Sequence, residues 1–166
     1  DGQQKEWTTG DTHDVTDRTF TIRRAMRLND ALPGEAAHWV WQPGPWLTVD
    51  RITGHITALH LPDFDDTVSE AVWFRDYAAY CGVSSAAKSD ELVAVVAQLS
   101  VRKPILHQTI SKWDPVDHAQ PPCAPAQWQR QPVRVKILPT GGTPIDVEVV
   151  GATSALIEEG DSPDEQ

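Results

Sequence analysis

Asp63-Phe64-Asp65-Asp66-Thr67-Val68-Ser69-Glu70-Ala71-Val72-Trp73-Phe74-Arg75-Asp76-Tyr77-Ala78-Ala79-Tyr80-Cys81-Gly82 is the stretch whose reading decides the fold class. A helix here makes the chain mixed rather than all-β, and the local signals are helical. Thr67 and Glu70 have capping-box spacing, Asp63, Asp65 and Asp66 crowd the positive end of a helix dipole, and Gly82 supplies a stop. Apolar residues at 68, 71, 72, 73, 74, 77, 78 and 81 cover more than a narrow stripe. That predicts a broad-faced helix from Thr67 through Cys81, lying across a sheet. A second helix of about three turns is predicted from Ser89 as N-cap, with Leu92, Val93, Val95, Val96 and Leu99 at helical spacing.

Working outward, Arg18 to Leu28 alternates. Phe20, Ile22, Met26 and Leu28 share one face, with Arg24 the exception, and Thr19, Thr21, Arg23 and Arg27 share the other. The period of two predicts a half-buried strand with the apolar set inward. Asn29 to Gly34 breaks it as a loop. His38 to Gln42 then forms a second strand with Trp39 and Trp41 on one face, expected to pack beneath the helices. Pro43-Gly44-Pro45 reads as a turn into Trp46 to Val49. A further turn over Asp50-Arg51-Ile52-Thr53-Gly54, with Asp50 accepting backbone amides and Gly54 left-handed, leads into His55 to Leu61 and completes a three-stranded meander.

On the C-terminal side, Pro104 ends the helical region, Ile105 to Ile110 is a short strand, and residues 111–132, with five prolines and two tryptophans, form a long connection. The clearest hairpin follows. Val133, Val135 and Ile137 face Ile145, Val147 and Val149 across Pro139-Thr140-Gly141-Gly142-Thr143-Pro144, and Arg134 and Lys136 oppose Asp146 and Glu148 on the wet side. The fold class that results is α+β, a mostly antiparallel sheet of N-terminal meander and C-terminal hairpin packed by two central helices.

Trp46-Leu47-Thr48-Val49-Asp50 followed by Thr53-Gly54-His55-Ile56-Thr57 resembles the strand-turn-strand of cadherin-like and immunoglobulin-like bacterial domains. The resemblance covers about a dozen residues and is of a kind that hairpin geometry produces by itself. It implies an all-β fold. The helical reading of the next forty residues outweighs it.

Charge is unevenly spread. The chain carries −10 overall, of which residues 1–17 hold −4 and residues 158–166 hold −5, so the 140 residues between them are nearly neutral. This divides the chain into a polar acidic segment 1–17, one domain over 18–157 and an acidic tail 158–166, and it argues against a nucleic-acid partner. No apolar run is long enough to span a membrane. Nine arginines against five lysines, with a single asparagine and thirteen prolines, suggest a high-GC genome such as that of an actinobacterium or one of its phages. Cys81 and Cys123 are too few for a disulfide framework, and Cys81 reads as a small buried apolar residue. The compartment is left unassigned, with the cytoplasm or a larger assembly favoured.

No nucleophile, metal or cofactor motif is legible, so no catalytic residue, metal ligand or cofactor is expected. Acids at 63, 65, 66 and 70 are explained by capping rather than by calcium. The leading expectation is a non-enzymatic interaction or assembly protein, of phage or mobile-element type, that binds a protein partner. The contact residues expected are Pro43, Pro45 and Trp46 at an exposed turn, with Trp113 and Trp128 in the long loop. One alternative is a ligand-binding protein or enzyme using His107, Asp114, Asp117, His118 and Cys123. A further alternative is an acidic inhibitor or immunity-type protein.

Overall fold

A computed structural model of the chain describes residues 6–85, 90–99, 101–114 and 121–150. The described residues contain no helix. They form eleven strands in three antiparallel sheets, which corrects the α+β expectation and both central helices. The first sheet runs β1 (Glu6–Asp14), β2 (Thr19–Asn29), β3 (Trp39–Asp50), β4 (Ile56–Ala58). The central sheet runs β5 (Val72–Phe74), β6 (Tyr77–Ser84), β7 (Glu91–Gln98), β8 (Leu106–Lys112). The third has β10 (Arg134–Pro139) between β9 (Cys123–Gln129) and β11 (Ile145–Glu148).

The stretch read as a helix over 67–81 forms β5 and the start of β6, and the segment after Ser89 forms β7, because the central sheet is covered on both sides. On one face Ala78, Tyr80, Val93, Val95 and Ala97 pack with Trp46, Leu61 and Ala71; on the other Ala79, Cys81, Leu92, Ala94 and Val96 pack with Ala126, Val135 and Ile137. A strand buried on both faces loses its alternation and becomes a continuous apolar run, which mimics a broad-faced helix. The β-branched content of β7 and its length of eight residues favour the strand. The acids read as helix caps serve a local turn instead, with no helix behind it. Asp65 Oδ1 accepts from the Thr67 amide at 2.8 Å and hydroxyl at 2.6 Å, and the Ser69 amide donates to the Asp65 carbonyl at 2.8 Å. These bonds close one turn, and the chain then enters β5. Arg75, at φ 53, and Asp76 make the two-residue turn that pairs Phe74 with Tyr77.

Gly82, read as a helix stop, lies inside β6, where a Cβ would overlap the Asp63 carbonyl oxygen. That carbonyl accepts from the Val83 amide at 2.8 Å, so glycine lets a crossing segment dock on the sheet backbone.

In the first sheet the Asp50 to Gly54 turn forms as the residues dictate: Asp50 Oδ1 accepts from the Ile52 and Thr53 amides, both at 2.9 Å, and Gly54 has φ 69. These amides, the Thr53 one foremost, together with the Arg18 guanidinium hold the Asp50 carboxyl at about 2. Pro43-Gly44-Pro45 is no turn. It lies within β3, and the register against β2 slips there, from Arg23↔Trp46 to Ala25↔Pro43. Two prolines cannot donate to a ladder, so the strand absorbs them at a bulge and runs on. Glu6–Asp14, inside the acidic N-terminal segment, pairs with β2 as an edge strand.

The face of β2 is also the reverse of that expected. Thr21 is fully buried, and Arg23 lies over Phe64 at 5.3 Å and donates to the carbonyls of Gly44 at 3.1 Å and Asp66 at 2.9 Å. Phe20, Ile22, Met26 and Leu28 therefore point away from the central sheet. The inward set is admissible because the Arg23 guanidinium finds one carbonyl on β3, at Gly44, and another, at Asp66, that the crossing loop brings in.

In the third sheet Arg134 pairs with Glu148, Val135 with Val147 and Ile137 with Ile145, and the Arg134 guanidinium meets the Glu148 carboxylate at 2.6 Å. Cys81 and Cys123 are joined in a disulfide that ties β6 to β9 across a sequence separation of 42. Cys81 is buried, as its reading as a small apolar residue has it, and the disulfide adds a bond that reading did not include. Replacing both cysteines by alanine is expected to lower the unfolding free energy by about 4 kcal/mol on the chain-entropy account, measured by urea denaturation under non-reducing conditions. Gly82→Ala is expected to cost roughly 1–3 kcal/mol by overpacking and to raise amide exchange at Val83.

Candidate functional site

The strands of the first sheet outrun their cover. β3 has 12 residues and β2 has 11, whereas β6 and β7 have 8 each. At about 3.4 Å per residue the excess strand length is on the order of 10–14 Å. The register fixes what that overhang presents. His13, Thr21 and Thr48 are cross-strand partners, Arg23 opposes Trp46, and all face the central sheet. His13 stacks on Trp73 at 5.7 Å, and Trp46 meets Trp73 edge-on at 5.3 Å. Beyond the bulge the same face continues through Ala25, Arg27 and Asn29 on β2, Pro43, Trp41 and Trp39 on β3, and Trp7 on β1.

That continuation is bare. Trp46 is only 8% exposed, while Trp39 is 47%, Trp41 51% and Trp7 60% exposed. The Arg27 guanidinium lies over the Trp39 ring at 5.3 Å, a cation–π contact. The loop at the tip is closed by Asp30, whose carboxylate meets His38 Nδ1 at 2.6 Å, and by Asn29 Oδ1, which accepts from the His38 amide at 2.9 Å. Leu32 stands out from this loop, 67% exposed. The overhang is thus an exposed aromatic surface with Arg27 as its one described cation.

The residues expected to make contact are placed differently. Pro43 is exposed and Pro45 half-buried at the bulge, and Trp46 is buried in the first core cluster. Trp113 and Trp128 are half-buried and pack against the second cluster; Trp128 stacks on Phe74 at 5.4 Å and donates Nε1–H to the Val72 carbonyl at 2.9 Å. Trp39 and Trp41, expected to be covered, are the exposed pair. Trp7 was missed because charge marked its segment as a solvated end, although Trp7 and Thr9 flanking Thr8 hint at a strand.

The described residues among those proposed for a ligand site are not gathered into one cluster. His107 Nε2 is 2.8 Å from Asp63 Oδ2, Cys123 is held in the disulfide, Asp114 is exposed, and Asp117 and His118 lie outside the described residues. Among the described residues no three His, Cys, Asp or Glu side chains gather as metal ligands. The four arginines of 18–27 are engaged within the fold: Arg18 pairs with Asp50 at 2.6 Å, Arg24 with Glu6, and Arg23 and Arg27 have the contacts described above. No family model, no curated protein and no solved structure matches the chain.

Stability separates the tryptophans that build the core from those that do not. Trp46→Ala is expected to cost roughly 3–5 kcal/mol, whereas Trp41→Ala is expected to stay within roughly 0.5 kcal/mol, both by chemical denaturation.

Proposed function

We propose that the protein is a non-enzymatic interaction protein that captures a protein partner on the bare aromatic end of its first sheet. The observation that carries this reading is that Trp7, Trp39 and Trp41 continue, without cover, the same sheet face on which Trp46 already packs against the central sheet. A surface whose covered half is a protein interface extends most simply into a second one. Flat indoles give large contact area at small entropic cost, and an anchor of this kind characteristically dominates binding energy. The Cys81–Cys123 disulfide supports an oxidising setting for this encounter rather than the reducing cytosol.

The test is site-specific photo-crosslinking. A photoreactive phenylalanine analogue is placed at Trp41 or, as control, at Lys136 on the outside of the third sheet, and the protein is exposed to an extract of its native source. Crosslinking to one discrete protein from position 41, absent from position 136 and abolished by adding Trp39→Ser, is the expected result. Equal labelling from both positions removes the proposal.

A further inference from the structure

The other face of the first sheet presents a second surface. Phe20, Val49 and Ile56 are cross-strand partners in one row, and Ile22, Leu47 and Ala58 in the next; Met26 follows, and Leu28 opposes Val40 near the tip. An antiparallel sheet with one wet face normally shows polar residues there. None of these side chains joins either core cluster, because the first sheet packs on the central layer through Trp46, Leu59 and their face. Ile56 is 60% exposed.

The charges on and beside this face, with Arg24 lying between Ile22 and Met26 on β2, are closed among themselves. Glu6 pairs with Arg24 and Asp14 pairs with Arg51, and the Arg51 guanidinium also lies over the Phe20 ring at 4.9 Å. The remaining polar positions, Thr8, Thr12 and Gln42, are uncharged. The face is therefore neutral on a chain of net −10, and it has no excess charge by which to select a partner of opposite sign. A second copy of the same face carries no net charge to oppose it, and its Arg24–Glu6 pairs are already closed within each copy. Size fits as well. Four strands at about 4.8 Å spacing, the longest about 37 Å, give on the order of 600 Å² per copy, and two copies clear the roughly 1,000 Å² that a specific interface needs.

We propose that two copies of the chain associate through this face, sheet stacked on sheet about a two-fold axis, with Phe20, Ile22, Leu47, Val49 and Ile56 at the centre. The stacking leaves the tryptophans of the opposite face available, so it is separate from partner capture at Trp41.

Sedimentation velocity over a concentration series tests this directly. The unmodified protein is expected to be dimeric at about 50 µM and to dissociate on dilution. Ile22→Glu combined with Leu47→Glu, which would bury carboxylates at the centre, is expected to raise the dimer Kd by about 100-fold or more. Ile56→Lys, at an exposed position where folding is not at stake, is expected to raise it about tenfold, while Trp41→Ser leaves it unchanged. A monomer throughout the series overturns the proposal. So does a dimer indifferent to Ile56→Lys, or one broken by Trp41→Ser. Persisting crosslinks from position 41 in a monomeric protein would retain the partner reading and remove only the dimer.

Discussion

Burial of the central sheet on both faces is the constraint from which the rest of the architecture follows. β6 and β7 place small and β-branched side chains, Ala78, Ala79, Ala94, Val93, Val95 and Val96, at complete burial on alternating sides. Such strands are stable only with a layer on each side, because an apolar face left wet forfeits about 25 cal/mol for every Å² not removed from water. The first sheet supplies Trp46, and the segment leaving it Leu61, to one face, and the third supplies Val135 and Ile137 to the other. Covalent and backbone ties then hold the layers in place. The Cys81–Cys123 disulfide fixes the third sheet, and the bond from Val83 to Asp63 fixes the crossing segment that leads in from the first.

The same constraint explains why the two outer sheets are so unlike. The third sheet is a short hairpin with one added strand, and its wet side carries ion pairs such as Arg134–Glu148. The first sheet is larger than the face it covers, and it bears apolar side chains where a terminal layer would be polar. Its edges are guarded against uncontrolled pairing. β1 carries a register shift between Thr8 and Thr12, with Gly10 at φ 90, and β4 is only three residues long. Its faces are not. Blunted edges beside apolar faces favour contact by stacking over contact by strand addition.

Legibility in the sequence followed how many faces of an element meet water. The β10–β11 hairpin was readable residue by residue because its period of two is intact and its outer charges alternate in sign. The Asp50 to Gly54 turn was readable because its chemistry is local. β6 and β7 were not, since burial on both faces erases the period that distinguishes strand from helix, and turn residues at Asp65 and Thr67 that resemble helix caps reinforced the wrong choice. The orientation of β2 was inverted because alternation tells which residues share a face, not which face is covered; Thr21 and Arg23 go inward only because Phe64 and the Asp66 carbonyl arrive from a distant loop. The disulfide spans 42 residues and leaves no local trace. At the candidate site, the shared face of Trp39 and Trp41 was legible. Their exposure was not, for it depends on β3 outlasting the strands that cover it.

The bulge at Pro43-Gly44-Pro45 connects these points to function. A continuous ladder needs an amide donor at alternate positions, and two prolines in three residues deny it, so the chain must either reverse or slip register. It slips, and β3 continues for four further residues, Trp39 to Gln42, that a turn would have folded back. Those residues make the overhang, and the overhang separates two surfaces of one sheet: an aromatic end facing the core side and an aliphatic face looking outward. Stacking two copies through the aliphatic face would place two aromatic ends on one particle. A partner offering two epitopes within that span would then bind with the gain in effective concentration that linked sites provide, without any new contact.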